Sequence, residues 1–272
     1  MTIVDRDRVV AALDEVWSAI VALAGELTPE DWSRHTACPG WTVKDNYSHI
    51  VGTESQLLGR ETPDVTLPAK LPHVHNELGL FNEKWVEHYR PRAVTDLLAD
   101  LGQVIVARRA QLAKMDQADF DAEAPTPAGP DTYGRLMRVR VMDQWFHEQD
   151  VREATGKPGH LEGLAPEMAL EEVTVALGYA VAKKAGVKAT ASVRFELTGP
   201  IAGRIDVKVT DRGRVVERLP GEPTVTLRLP GERFLRIAGG RIAPEDRIDG
   251  SVEMVGDEAL GKQVITGMAF II

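Results

Sequence analysis

The chain has 272 residues, a net charge of −9 and a sequence pI of about 5.4, and its 43% apolar residues suffice for a core. An acidic chain without a dense basic stretch argues against a nucleic-acid partner, and one cysteine, Cys38, excludes an internal disulfide. Because Met1 to Arg8 lacks an apolar signal core and no apolar run could span a bilayer, we expect a cytoplasmic protein without a membrane partner.

Helical periodicity dominates the first part of the chain. Apolar residues spaced by three and four predict helices over 5–27, 43–58, 76–89, 94–115 and 133–155. Asp5 can cap the first helix, and Thr42 with Asp45 is close to a capping box before the second. Proline and glycine predict loops over 61–72 and 116–131.

The pattern changes after a further predicted helix over 166–185. Alternating apolar residues predict strands at 193–197, 205–209 and 225–229. Gly-Pro and Asp-Arg-Gly turns favour antiparallel pairing. The last predicted elements are two short helices and a strand between them, at 231–239, 257–267 and 249–255. The fold class is therefore α+β with two domains, a helical bundle over 1–160 and a small α+β domain over 161–272.

One stripe of the predicted helix over 133–155 is unusually polar. Four ionisable residues share it beside apolar neighbours: Arg140, Asp143, His147 and Asp150. Asp143 and His147 are four residues apart, so both can reach one metal ion. On spacing alone, an ordinary hydrogen bond between them is the more frequent outcome.

The predicted helix over 43–58 offers a third ligand. His49 lies on the flank of its apolar face, where it can either reach a metal or make a structural hydrogen bond. Glu54 falls near the middle of that face, and a buried carboxylate needs a partner. The alternative is that Glu54 sits at an exposed end of the helix.

Two segments resemble the signatures of a known family. The first comprises 38–45 (CPGWTVKD) and 48–54 (SHIVGTE), and the second is 141–152 (VMDQWFHEQDVR). Together they resemble the mycothiol-dependent maleylpyruvate isomerase-like group within the DinB-like metal-binding bundles. More weakly, 234–241 (FLRIAGGR) resembles the sterol-carrier-like C-terminal domain of that family. The resemblance covers most of the chain.

The resemblance implies a DinB-like four-helix bundle followed by a sterol-carrier-like domain. It also implies that His49, Asp143 and His147 bind a divalent metal, for which zinc is the favoured ion. The family often has the longer Glu at the position of Asp143. The thiol co-substrate would be mycothiol, an actinobacterial sugar thiol. The enzyme would add it to an electrophilic small molecule in detoxification, or isomerise a substrate by transient addition.

Four further residues receive candidate roles. We predict Arg140, Arg241 and Glu54 as catalytic candidates and Asp150 as a cofactor-binding one. Asp150 and Glu54 could orient the ligand histidines from behind. Arg140 could bind an anionic substrate or pair with Asp143. Arg241 could bind an anion, although an ordinary surface arginine is the favoured interpretation.

Other interpretations remain open. Cys38 could be a redox thiol, although packing is the favoured role. Two histidines and a carboxylate also describe non-haem iron oxygenases, but those sites usually lie on β-barrels. The C-terminal domain could instead make the chain a non-enzymatic binder of a lipid or small molecule, and a metal sensor is disfavoured because no DNA-binding signature is present. We expect a monomer or weak dimer.

Overall fold

Helices form the first part of the protein and a sheet with helices forms the second, so the predicted α+β class is confirmed. The structure is a computed structural model, and it describes residues 1–271. The chain divides into two units, Met1–His160 and Leu161–Ile272. Within the described residues, no helix combines the length and apolar character needed to cross a membrane.

The first unit is a four-helix bundle with additions. Its helices are α1 (Arg6–Glu26), α2 (Val43–Leu57), α3 (Glu77–Tyr89), α4 (Val94–Leu112), α5 (Gln117–Asp121) and α6 (Tyr133–Thr155). Helices α1, α2, α4 and α6 pack together, and α3 packs against α2. Asp5 caps α1, and Thr42 and Asp45 form a full capping box at α2, as the sequence predicts. These caps fix where each helix begins.

The segment 116–131 is not the loop that its prolines predict. It contains α5 and a hairpin of β1 (Glu123–Thr126) and β2 (Gly129–Thr132). Pro125 and Pro130 face each other in this two-stranded ribbon, where each strand has a free edge that tolerates a missing N–H. Gly129 turns the chain with a φ of 105°.

The second unit contains a five-stranded sheet. Its elements are α7 (Leu164–Tyr179), β3 (Ser192–Thr198), β4 (Gly203–Val209), β5 (Gly213–Val216), β6 (Val225–Pro230), α8 (Gly231–Ala238), β7 (Glu253–Gly256) and α9 (Glu258–Gly267). The strand order is β5-β4-β3-β6-β7. A π-helical turn, Ala180–Lys184, follows α7 within the predicted helix over 166–185.

Strand pairing departs from the prediction in one place. All pairs are antiparallel except β3 and β6, which are parallel. The β4–β5 hairpin occupies one side of β3. Strand β6 then pairs with the other side of β3 and runs in the same direction as β3. Strand β5 was not predicted, and β7 begins later than expected because Asp249 accepts a bond from the Ser251 N–H and bends 249–251.

Asp206 on β4 is a buried charge held by two arginines. Arg194, directly opposite on β3, donates to it at 2.8 Å, and Arg204 donates at 2.6 Å. Burial acts to raise the pKa of Asp206, but these bonds and the Leu219 N–H outweigh it and lower the pKa to about 2. The carboxylate therefore stabilises the fold above an unfolded pKa of about 3.9, and this contribution is lost as pH falls from about 4 to 2.

We expect Asp206→Asn to lower the free energy of unfolding by about 2 kcal/mol at pH 7, and by progressively less as pH falls toward 2. Calorimetry of the full chain across this pH range would measure the difference. The matched control is Glu217→Gln, an exposed carboxylate in the same unit, for which a change below about 0.5 kcal/mol is expected. A deficit in Asp206→Asn that stays constant between pH 7 and pH 2 would contradict this account.

Candidate metal centre

His49 on α2 and Asp143 and His147 on α6 bring their ligand atoms together. His49 Nε2 lies 3.1 Å from Asp143 Oδ2, and His147 Nε2 lies 3.7 Å from Asp143 Oδ1. One ligand atom from each residue lies within 4.8 Å of the other two. Two imidazole nitrogens and a carboxylate oxygen form a donor set that zinc and related divalent ions accept. The three residues predicted as ligands therefore fit a shared ion.

Local structure explains this arrangement. The capping box fixes the start of α2, and His49 follows about two turns later. Asp143 and His147 are one turn apart on α6, so their side chains project from the same face. Both histidines are buried, whereas the Asp143 side chain is 27% exposed. The cluster is therefore closed on the imidazole side and accessible at the carboxylate.

Arg140 holds the carboxylate of Asp143. Its Nη1 lies 2.8 Å from Asp143 Oδ2, its Nη2 donates to Thr53 Oγ1 at 2.6 Å, and its Nε donates to Glu54 Oε1 at 3.3 Å. Burial acts to raise the pKa of Asp143, but Arg140 and the two imidazoles hold it well below its usual range. The structure thus places Arg140 in the predicted pairing with Asp143, which it keeps ionised.

Glu54 is fully buried, so the alternative of an exposed helix end is wrong. Arg108 on α4 donates to its Oε2 at 2.7 Å, and Gln144 on α6 donates to its Oε1 at 2.6 Å. Glu54 thereby links α2, α4 and α6, and it reaches Asp143 through Arg140. Arg108 was not predicted as a site residue, although it occupies a position on the apolar stripe of α4 between Ile105 and Leu112.

The second ring nitrogen of His147 faces a different set of groups. Its Nδ1 lies 2.8 Å from Asn46 Oδ1, 3.3 Å from Asp150 Oδ2 and 3.7 Å from Cys38 Sγ. The Cys38 thiol donates to Asp150 Oδ2 at 3.1 Å. Burial acts to lower the pKa of His147, but Asp143, Cys38 and Asp150 raise it to about 10. Burial also lowers the pKa of His49, and there it prevails.

Asp150 thus lies beside the ring nitrogen of His147 that faces away from Asp143, and its cofactor-binding role stays a prediction. Two more residues lie here: Asn46, which was not predicted as a site residue, and Cys38, for which packing was the favoured role. The signal for Asn46 is its place beside His49 on the flank of the apolar face of α2. Cys38 lies in the loop before α2, where it is the first residue of the first family signature.

Trp41 covers the imidazoles. Its ring centroid lies 5.3 Å from that of His49 and 5.8 Å from that of His147. Its indole N–H donates to the buried Glu83 at 2.5 Å, and His73 Nε2 lies 2.8 Å from the same oxygen. The indole is therefore fixed in place and limits the access of water to both rings. Arg241 belongs to the second unit, where its Nη1 donates to the Gly239 carbonyl at 2.7 Å, so its role stays a prediction.

Two family models match the chain. The model described as the mycothiol maleylpyruvate isomerase N-terminal domain matches residues 13–152, and that of the corresponding C-terminal domain matches residues 167–263. No curated protein matches the chain by sequence.

Two solved structures are similar to the chain along nearly its whole length. A crystal structure of the mycothiol-dependent maleylpyruvate isomerase aligns with a TM-score of 0.60 and 15% identity, covering 93% of this chain and 95% of that one. A mutant of a mycothiol-dependent maleylpyruvate isomerase aligns with a TM-score of 0.59 and 13% identity over the same shares. At these identities the likeness shows a shared fold.

Proposed function

Because this chain belongs to the mycothiol maleylpyruvate isomerase family, the family that its two signatures predict, we propose that it is a metal-dependent enzyme that adds mycothiol to an electrophilic small molecule. The observation that supports this most directly is the convergence of His49, Asp143 and His147 on one point between two helices of a bundle. A cytoplasmic detoxifying role belongs to the same proposal.

His49, Asp143 and His147 would hold the cation, and zinc is the proposed ion because it accepts this nitrogen and oxygen set. Three protein ligands leave a coordination position open, as in catalytic sites. When bound, the cation would favour the thiolate form of a coordinating thiol and so provide a nucleophile at neutral pH.

The surrounding residues prepare the three ligands. Asn46 Oδ1 can accept a bond from His147 Nδ1–H, which leaves the lone pair of Nε2 directed at Asp143. Arg140 fixes the orientation of the Asp143 carboxylate through its bond to Oδ2. Trp41 limits the access of water to the imidazoles, while the exposed part of Asp143 leaves an approach for the thiol and its acceptor.

The alternative reaction is isomerisation, which the family description favours. The thiolate sulfur adds to a carbon–carbon double bond, the resulting single bond rotates, and expulsion of the thiolate restores the double bond. Isomerisation returns the thiol, whereas transfer consumes one thiol for each thioether formed. A thiol balance therefore separates the two reactions.

One cavity in the second unit does not favour the lipid-binding alternative. A cavity of about 250 Å³ there is lined by Thr190, Ser192, Lys208, Leu219, Pro220, Gly221, Glu222 and Thr224. Most of these residues are polar or small, whereas a lipid carrier needs an apolar cavity.

We expect zinc-loaded protein to consume mycothiol with at least one member of a panel of alkyl halides, epoxides and activated alkenes. Removal of the metal with a chelator should reduce the rate at least tenfold, and addition of Zn²⁺ should restore it. Elemental analysis and free-thiol titration are the measurements. Turnover that persists at full rate in protein shown to be metal-free would refute metal dependence, and metal-loaded protein inert with the whole panel would refute the transferase.

A further inference from the structure

Cys38, His147 and Asp150 form a second group of metal-ligating atoms, on the far side of the His147 ring from Asp143. We propose that this group is a second metal site for a thiophilic divalent cation such as Cd²⁺, Co²⁺ or Zn²⁺. It would bind through His147 Nδ1, and its occupation would exclude an ion bound at His147 Nε2.

The distances between the three ligand atoms match those expected around one ion. With Zn–S bonds of about 2.3 Å and Zn–N or Zn–O bonds of about 2.1 Å, tetrahedral ligand atoms lie about 3.4–3.6 Å apart. Cys38 Sγ lies 3.7 Å from His147 Nδ1 and 3.1 Å from Asp150 Oδ2, and Nδ1 lies 3.3 Å from the same oxygen. Shifts of a few tenths of an ångström would therefore complete the geometry.

The chemistry of the group favours soft metals. A cysteine thiolate selects thiophilic ions over Mg²⁺ or Ca²⁺, and the imidazole and carboxylate complete a set that zinc accepts. Asn46 Oδ1 lies 2.8 Å from Nδ1 and 3.8 Å from Sγ, so it can provide the fourth ligand atom. Asp150 and His147 are buried, and Cys38 is of intermediate exposure.

The two sites share one imidazole and use its opposite nitrogens. A neutral imidazole has one unprotonated nitrogen, so an ion at Nδ1 leaves a proton on Nε2. His147 then cannot complete the set with His49 and Asp143. The second site does not depend on the proposed function. The mutual exclusion of the two ions does rest on the proposed function, because that function places an ion at His147 Nε2. Thiophilic cations in excess would thus act as inhibitors.

Cobalt(II) titration of the full chain tests the proposal, because Cys38 is the chain's single cysteine. Any thiolate-to-cobalt charge-transfer absorption in the near ultraviolet must therefore come from this residue, provided that the buffer contains no thiol. The substitution His49→Ala disables the set of His49, Asp143 and His147. In this variant we expect one Co²⁺ to bind per chain and to produce this absorption. Adding Cys38→Ser should abolish the absorption and weaken cobalt binding at least tenfold. At one equivalent of Co²⁺, wild-type protein should absorb less than His49→Ala.

Alkylation of Cys38 by iodoacetamide gives a second readout, and excess Cd²⁺ should slow it at least tenfold in His49→Ala. Tryptophan emission establishes that each variant is folded. Absence of both the absorption and the protection in folded His49→Ala would overturn the second site. Equal absorption in wild-type protein and His49→Ala would overturn the exclusion. Absorption from Cys38 in a protein whose catalysis needs no metal would uphold the second site and refute the proposed function alone.

Discussion

His147→Ala is expected to lower the affinity of the protein for a divalent cation by at least about 100-fold. Substituting a residue that only supports a metal ligand weakens metal affinity by about 10- to 100-fold, and removal of a ligand should cost at least the upper value. The reason is that His147 Nε2 is one of the three ligand atoms of the set with His49 and Asp143. Elemental analysis after dialysis and competition with a chromophoric chelator would measure the loss. Mycothiol consumption should fall in parallel.

The matched control is His75→Ala, because His75 is exposed and belongs to neither group of metal-ligating residues found among residues 1–271. It should keep its metal content and activity within about twofold. Full metal occupancy in folded His147→Ala would contradict the assignment of this residue as a ligand.

Arg108→Leu is expected to lower the free energy of unfolding of the bundle by about 3–5 kcal/mol. Arg108 and Glu54 both have side chains that are 0% exposed, and they pair at 2.7 Å. Removing the arginine leaves a buried carboxylate with a weaker set of partners, and an uncompensated buried charge is costly. Urea denaturation followed by tryptophan emission is the measurement. All five tryptophans lie within the first unit, so this signal reports on the bundle alone.

The neighbouring Arg109 provides the control. Its side chain is 44% exposed and pairs with Asp14, which is 54% exposed, so Arg109→Leu should cost less than about 1 kcal/mol. Equal losses for the two substitutions would show that burial of the Glu54 pair does not determine the stability of the bundle.

Much of the site can be located from the sequence because its ligands follow local rules. The four-residue spacing of Asp143 and His147 is a helix property, and the first family signature adds His49. Periodicity identifies the apolar face of a helix, but it does not reveal which residues of another helix that face contacts. The partner of Glu54 lies 54 positions away on α4, and Cys38 and Asp150 are 112 positions apart. Such contacts arise only from tertiary packing.

The same distinction explains the outcome for the fold. Helices with clear caps, such as α1 and α2, were predicted to within a residue or two. The hairpin within 116–131 was missed because Pro125 and Pro130 are read locally as loop residues. The parallel pairing of β3 with β6 depends on where the β4–β5 hairpin lies in the sheet, which alternation along a strand does not encode.

The convergence on Glu54 constrains how this bundle can change in evolution. Arg108, Arg140 and Gln144 all direct polar groups at one fully buried carboxylate. Replacing Glu54 by an apolar residue would leave the fully buried Arg108 without its carboxylate partner and would remove one acceptor from Arg140. Neutral drift at one of these four positions therefore requires a compensating change at the others. We therefore expect the four positions to co-vary as a block among relatives, and a relative with an apolar residue at the position of Glu54 to hold its metal-binding carboxylate by another arrangement.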